Sequence, residues 1–136
     1  MAMAEAMSRF VAIGLGCRAG ARGEAIAALA RRALAEFNEP EGERRLFTLA
    51  DKGAEPGIID AAEALAAPLT KLPLAALKAE ESRVLTRSAA AERRFGTASV
   101  AEAAALAGAG PGGRLLGPRL AADGATCAVA LSAEAP

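Results

Sequence analysis

The sequence predicts an α/β domain of three layers, with a mostly parallel sheet, open to a mixed edge, and helices on both faces. Three observations point there. Short apolar runs bounded by turn residues alternate with segments of helical period. The first two apolar runs each end in a polar turn that leads into a helix, as parallel crossovers do. Two extended segments near the C-terminus suggest an antiparallel pair at the end of the chain. The 136 residues suffice for one domain, read as 1–136, with 1–9 and 132–136 expected to be flexible ends.

Each element has a local reason. Phe10, Val11, Ala12, Ile13 and Gly14 make a short apolar run, read as a strand buried on both faces. Residues 15–23 (LGCRAGARG) read as a turn. From Glu24 onward, Ile26, Leu29, Ala30, Ala33, Leu34 and Phe37 fall on one helical stripe, and Asn38-Glu39-Pro40 stops it. Residues 45–50 (RLFTLA) form the second strand. A loop over 51–57 (DKGAEPG) leads to a helix over 58–66, and Pro68 precedes an extended segment at 69–72. A helical turn is expected around Leu74 and Leu77, then a helix over 86–94 closed by Gly96. Ser99 and Glu102 form a capping box ahead of an alanine-rich helix. A glycine-rich loop over 108–113 precedes two late strands, 114–116 and 125–131.

Composition removes several functional classes. A hydrophobic fraction of 53% beside 24% charged residues describes a globular chain and not a disordered one. Lys+Arg and Asp+Glu number 16 each, so the chain lacks the basic excess of a nucleic-acid binder. The aromatic residues are all Phe, which argues against base stacking. Histidine is absent, which removes the usual general base, the usual triad and most zinc sites. Cys17 and Cys127 are too few for an all-cysteine metal site or a disulfide framework. No metal and no cofactor is expected. No long uncharged apolar run and no leader sequence is evident, so no membrane partner is expected and the compartment is read as cytoplasmic.

Chemistry is expected in two turns at the ends of the first two strands, which a parallel sheet brings to one rim. The first carries Gly14, Gly16, Cys17 and Arg18. Glycines permit close backbone approach, a helix start favours an anion, and Arg18 and Arg22 can add forked hydrogen bonds to carboxylates or phosphates. The alternative is a tight strand-to-helix turn with solvated arginines. The second turn carries Asp51, Lys52, Gly53 and Glu55, where Asp51 and Glu55 could serve as an acid–base pair or could cap the following helix. Cys17 could have a lowered thiol pKa at the helix start or be a buried, unreactive side chain, while Cys127 reads as core packing. Ser88, Ser99 and Arg119 are further candidates for ligand contact, with capping the simpler reading of Ser99.

In this order and spacing, three pieces resemble the cobalamin-biosynthesis family that comprises CobE and the C-terminal domain of CbiG. They are Gly14-Leu15-Gly16-Cys17-Arg18, then Asp51-Lys52 with Glu55 and Gly57, then Gly96 with the run 99–106 (SVAEAAAL). Ser88 and the stretch 126–130 (TCAVA) also suit that family, and the resemblance spans about residues 10–131. It implies an α/β protein acting on the corrin ring of vitamin B12, with a precorrin-type tetrapyrrole as small-molecule ligand. In longer CbiG proteins it implies opening of a ring lactone with release of acetaldehyde. Three roles stand open: a binding or accessory protein for a polycarboxylate macrocycle, a hydrolase using Asp51 and Glu55, and a non-catalytic domain that docks on other corrin-pathway enzymes.

Overall fold

The computed structural model describes residues 9–50, 55–95, 97 and 99–133. Strand β1 (Phe10–Cys17) runs past the expected end at Gly14, so 15–17 belong to the strand and not to a turn. The reason is packing. Val11, Ile13 and Leu15 point into one apolar cluster, and Ala12 faces a second cluster on the other side. Glycine inside a strand is costly, by about 0.5–1 kcal/mol, and Gly14 is kept by close approach. A Cβ there would overlap the carbonyl oxygen of Ala101 and stand 2.6 Å from the Ala105 nitrogen. The glycines of this motif thus admit a helix against the strand.

Helix α1 (Gly23–Glu36) buries Ile26, Leu29, Ala30, Ala33 and Leu34, the stripe expected from the sequence. It ends where Asn38 and Glu39 take positive φ. Strand β2 (Glu43–Leu49) pairs in parallel with β1, with Ile13 opposite Leu46. Helix α2 (Pro56–Leu65) begins with Pro in its first turn, where the missing N–H costs nothing. Strand β3 (Leu69–Leu72) pairs in parallel with β2. A short helix α3 (Leu74–Lys78) and a 3₁₀ turn (Glu81–Arg83) follow. Helix α4 (Ala89–Phe95) starts later than the expected Thr86, because the Thr86 N–H and hydroxyl are both drawn to Glu102. Gly96, its expected stop, lies outside the described residues.

Helix α5 (Val100–Ala109) takes in Gly108 and Ala109, which were expected in the following loop. The chain then makes three strands, not two: β4 (Arg114–Leu115), β5 (Leu120–Ala122) and β6 (Ala125–Leu131). Asp123 and Gly124 both have positive φ between the paired Ala122 and Ala125, a two-residue hairpin of the type that suits strand twist. The sheet order is β3-β2-β1-β6-β4, with β5 also on β6. Strands β1 to β3 are parallel, and β6 is antiparallel to β1, β4 and β5. Helices α1 and α2 cover one face, and α3 and α5 the other.

The end of the chain is better held than expected at Ser132. It is buried, its hydroxyl accepts from the Phe10 N–H at 2.8 Å, and its N–H donates to the Phe10 carbonyl at 3.1 Å. Residues 1–8 and 134–136 lie outside the described residues.

Substituting Gly14→Ala forces α5 away from β1. We expect a loss of about 1–3 kcal/mol, read in urea denaturation as a lower midpoint with an unchanged m-value. An unchanged midpoint would show that α5 does not rest on β1 at Gly14.

Candidate functional site

Because β1, β2 and β3 point the same way, their C-terminal ends share one rim of the sheet, and antiparallel β6 starts there. The Ala50 N–H donates to the Leu72 carbonyl at 2.8 Å, which fixes the exit of β2. The Arg18 N–H donates to the Gly124 carbonyl at 2.9 Å, and the Arg18 side chain lies along Gly124. The first turn is thereby tied to the β5–β6 hairpin. On its other side the turn meets α2, where Gly57 packs so close to Ala21 that a Cβ would strike the Ala21 carbonyl oxygen.

Two open clefts result. One, of about 620 Å³, is lined by Gly20, Arg22, Glu24, Glu55, Gly57 and Asp60 among others. Its neighbour, of about 670 Å³, includes Arg18, Ala19, Arg22 and Asp123. Their charge differs. Arg22 is ion-paired with Glu24, so Glu55 and Asp60 leave the first cleft acidic. The Arg18 guanidinium has no carboxylate partner among the described residues.

The expected site residues fall into different surroundings. Arg18 is exposed at the cleft, and Glu55 is half-buried at the N-cap of α2 without a capping bond from its side chain. Gly14 and Gly16 are buried beneath α5, and the Gly16 carbonyl accepts from the Thr126 hydroxyl at 3.4 Å. Cys17 is half-buried and packs against the α1–α2 cluster. Ser99 is buried and its hydroxyl accepts from the Glu102 N–H at 3.3 Å, so it caps α5. Ser88 is half-buried, and its carbonyl accepts from the Glu92 N–H at 3.0 Å at the start of α4. Asp51, Lys52 and Gly53 lie outside the described residues.

Sequence reasoning missed the role of Glu102. The capping-box reading turns its carboxylate back toward Ser99, whereas the structure sends it to two distant segments. Oε1 accepts from the N–H groups of Leu85 at 2.7 Å and Thr86 at 2.8 Å. Oε2 accepts from the Thr86 hydroxyl at 2.7 Å and the Arg119 N–H at 2.9 Å. Arg119 is thus held to Glu102 through its backbone N–H. A signal was present, because Glu102 stands among Val100, Ala101, Ala103, Ala104, Ala105 and Leu106. A helix apolar all round is buried, and its charge must then be met by donors.

Comparison with known proteins decides the family. The model for the C-terminus of cobalamin synthesis protein G matches residues 11–130. The chain belongs to that family. It is 39% identical to the Sinorhizobium protein CobE over 119 residues, covering 87% of this chain and 77% of CobE. The crystal structure of a CobE, a protein from the cobalamin (vitamin B12) biosynthetic pathway, superposes with a TM-score of 0.86 at 36% identity over 94% of each chain. The cobalamin biosynthesis protein chiG of Agrobacterium tumefaciens gives 0.66 at 34% identity, over 88% of this chain and 96% of its own. The family places the chain in cobalamin biosynthesis, as the sequence resemblance implied. No helix among the described residues is long and apolar enough to cross a membrane.

Cys127 sits fully buried in β6, and burial pushes its thiol up from 9.0 to about 12. The folded state therefore holds the proton that the unfolded chain gives up above pH 9. Stability should be intact below pH 9 and fall as pH rises from 9 toward 12. Urea midpoints measured across that range should decline, and Cys127→Ala should flatten the decline. An equal slope in the variant would assign the loss to other groups.

Proposed function

We propose that the rim binds a polycarboxylate, precorrin-type tetrapyrrole, in an accessory or enzymatic role in corrin-ring synthesis. The observation that carries this is the convergence of the Arg18 turn, the start of α2 and the β5–β6 hairpin at one end of the sheet. Family membership gives the pathway, and the chemistry of the rim supports a ligand of this class within it. A corrin precursor is a broad apolar ring fringed with carboxylates. Arg18 offers a forked donor to such a group, and Arg119 offers a second cation beside the first turn of α5. Net neutrality is no obstacle, because the field that matters is local.

A hydrolytic role for the same rim draws support from Glu55, whose carboxylate borders the cleft and makes no capping bond. Paired with Asp51, it would activate water on a ring lactone. Release of acetaldehyde from a lactone-bearing intermediate, lost in Asp51→Asn and Glu55→Gln, is the result that supports it. Docking on another enzyme of the pathway is the reading left if the purified protein carries no pigment and binds none.

Titration with hydrogenobyrinic acid, followed by absorbance and heat, tests the binding reading. Saturable binding is expected, weakened by added salt and weakened about tenfold in Arg18→Ala, the loss of one hydrogen bond to a charged group. No spectral change and no heat at high micromolar protein would end it.

A further inference from the structure

We propose that Glu102 is the positioning residue of the rim. Its carboxylate fixes segments 84–87 and 117–119 so that Leu85 and Arg119 present an apolar contact and a cation to the ligand. This rests on the binding reading above.

Four donors from those two segments converge on one carboxylate: the N–H groups of Leu85, Thr86 and Arg119 and the Thr86 hydroxyl. Glu102 is 0% exposed, on a helix whose first turn lies against β1 at the rim, with Val100 over Gly16. An ionised carboxylate without water needs all its lone pairs met. Both segments lack regular secondary structure where they meet it, so these bonds replace the ladder bonds that would hold a strand.

The consequence for Leu85 is notable in physical terms. Its backbone is pinned inward, yet the residue is 59% exposed, the most exposed of the large apolar residues among those described. Holding a leucine in water has no folding benefit. The segment continues into Arg87, which is ion-paired with Glu81 and Glu92, so Arg87 is committed to the scaffold. In the two pinned segments Leu85 and Pro118 are exposed and Arg119 is half-buried, so apolar surface stands beside a cation. An apolar contact beside a cation suits a flat ring with a carboxylate fringe. This supplies the wall that a chain without Trp or Tyr cannot make from large aromatic rings.

Glu102→Gln separates positioning from general stability. The amide keeps the shape but has one acceptor oxygen. If that oxygen keeps the Leu85 and Thr86 N–H groups, the amide NH₂ faces the Arg119 N–H, donor against donor. Amide hydrogen exchange should show Arg119 losing protection about 10- to 100-fold, the loss of one hydrogen bond to a charged group, while amides of β1 and β6 keep theirs. Affinity for hydrogenobyrinic acid should fall about tenfold by the same reasoning. In an Arg119→Ala, Leu85→Ala background, Glu102→Gln should add little further loss, since its effect runs through those side chains.

Unchanged exchange at Leu85, Thr86 and Arg119 together, unchanged affinity in Glu102→Gln, or fully additive losses would each overturn the proposal. Should Glu102→Gln fail to fold, Leu85→Ala and Arg119→Ala decide it, because both keep the backbone donors. Weaker binding in each supports the proposal, and wild-type binding in both overturns it. Absence of binding by the unaltered protein sinks the binding reading itself, and this proposal with it.

Discussion

A carboxylate sealed from water dictates where its neighbours go. Burying an ionised group costs several kcal/mol unless hydrogen bonds replace its hydration. Glu102 is a fully buried carboxyl group, and four donors from the loops on that face of the molecule meet it. Segment 84–87 arrives from the 3₁₀ turn, and segment 117–119 from between β4 and β5. The two are far apart in sequence and share one anchor. A second carboxylate extends the same scheme outward. Glu81 accepts from the buried Thr97 hydroxyl at 2.8 Å and pairs with Arg87, so the approach to α5 is tied to the segment before α4.

Glu102 can sit where it does because α5 lies so near the sheet. Gly14 in β1 and Ala128 and Ala130 in β6 make a shallow face, and α5 presents Ala101, Ala104 and Ala105 to it. The opposite face is built from larger side chains: Ile13, Leu15 and Val129 against Ile26, Leu29 and Leu34. The two faces thus pack by different means. Alanine content alone suggests a bias of composition, but in α5 each small residue is what permits the backbone contact.

The same contrast explains what was legible in the sequence. The α1 stripe, the start of β1 and strand β3 follow from periods of 3.6 and 2 and from turn residues at their ends and stand where expected, while β2 starts two residues early and ends one early. The end of β1 is not legible in the sequence because glycine ordinarily signals a turn, whereas here Gly14 makes room for a helix. The β5–β6 hairpin was missed, although Asp123-Gly124 is a strong turn signal, because a three-residue strand shows almost no alternation. Convergence of the Arg18 and Glu55 turns was legible because parallel strands must end on one side. The destination of the Glu102 carboxylate was not, since its partners lie 16 and 17 residues away on either side. A capping box is a local pattern and cannot report long-range bonds.

A last step concerns how an acidic ligand would orient. The cleft beside α2 keeps Glu55 and Asp60, while Arg22 is spent on Glu24. Carboxylates brought there meet like charge, which costs free energy and rejects wrong poses. Arg18, without a carboxylate partner among the described residues, stands in the neighbouring cleft, and Arg119 is held by its backbone N–H at Glu102 in the first turn of α5. On the binding reading proposed above, a macrocycle fringed with acids would favour poses that set its charged edge toward Arg18 and the hairpin. Its less charged side is left for the α2 cleft. A chain with zero net charge would in this way favour one orientation over others, because attraction at Arg18 and repulsion at Glu55 and Asp60 act in two neighbouring clefts.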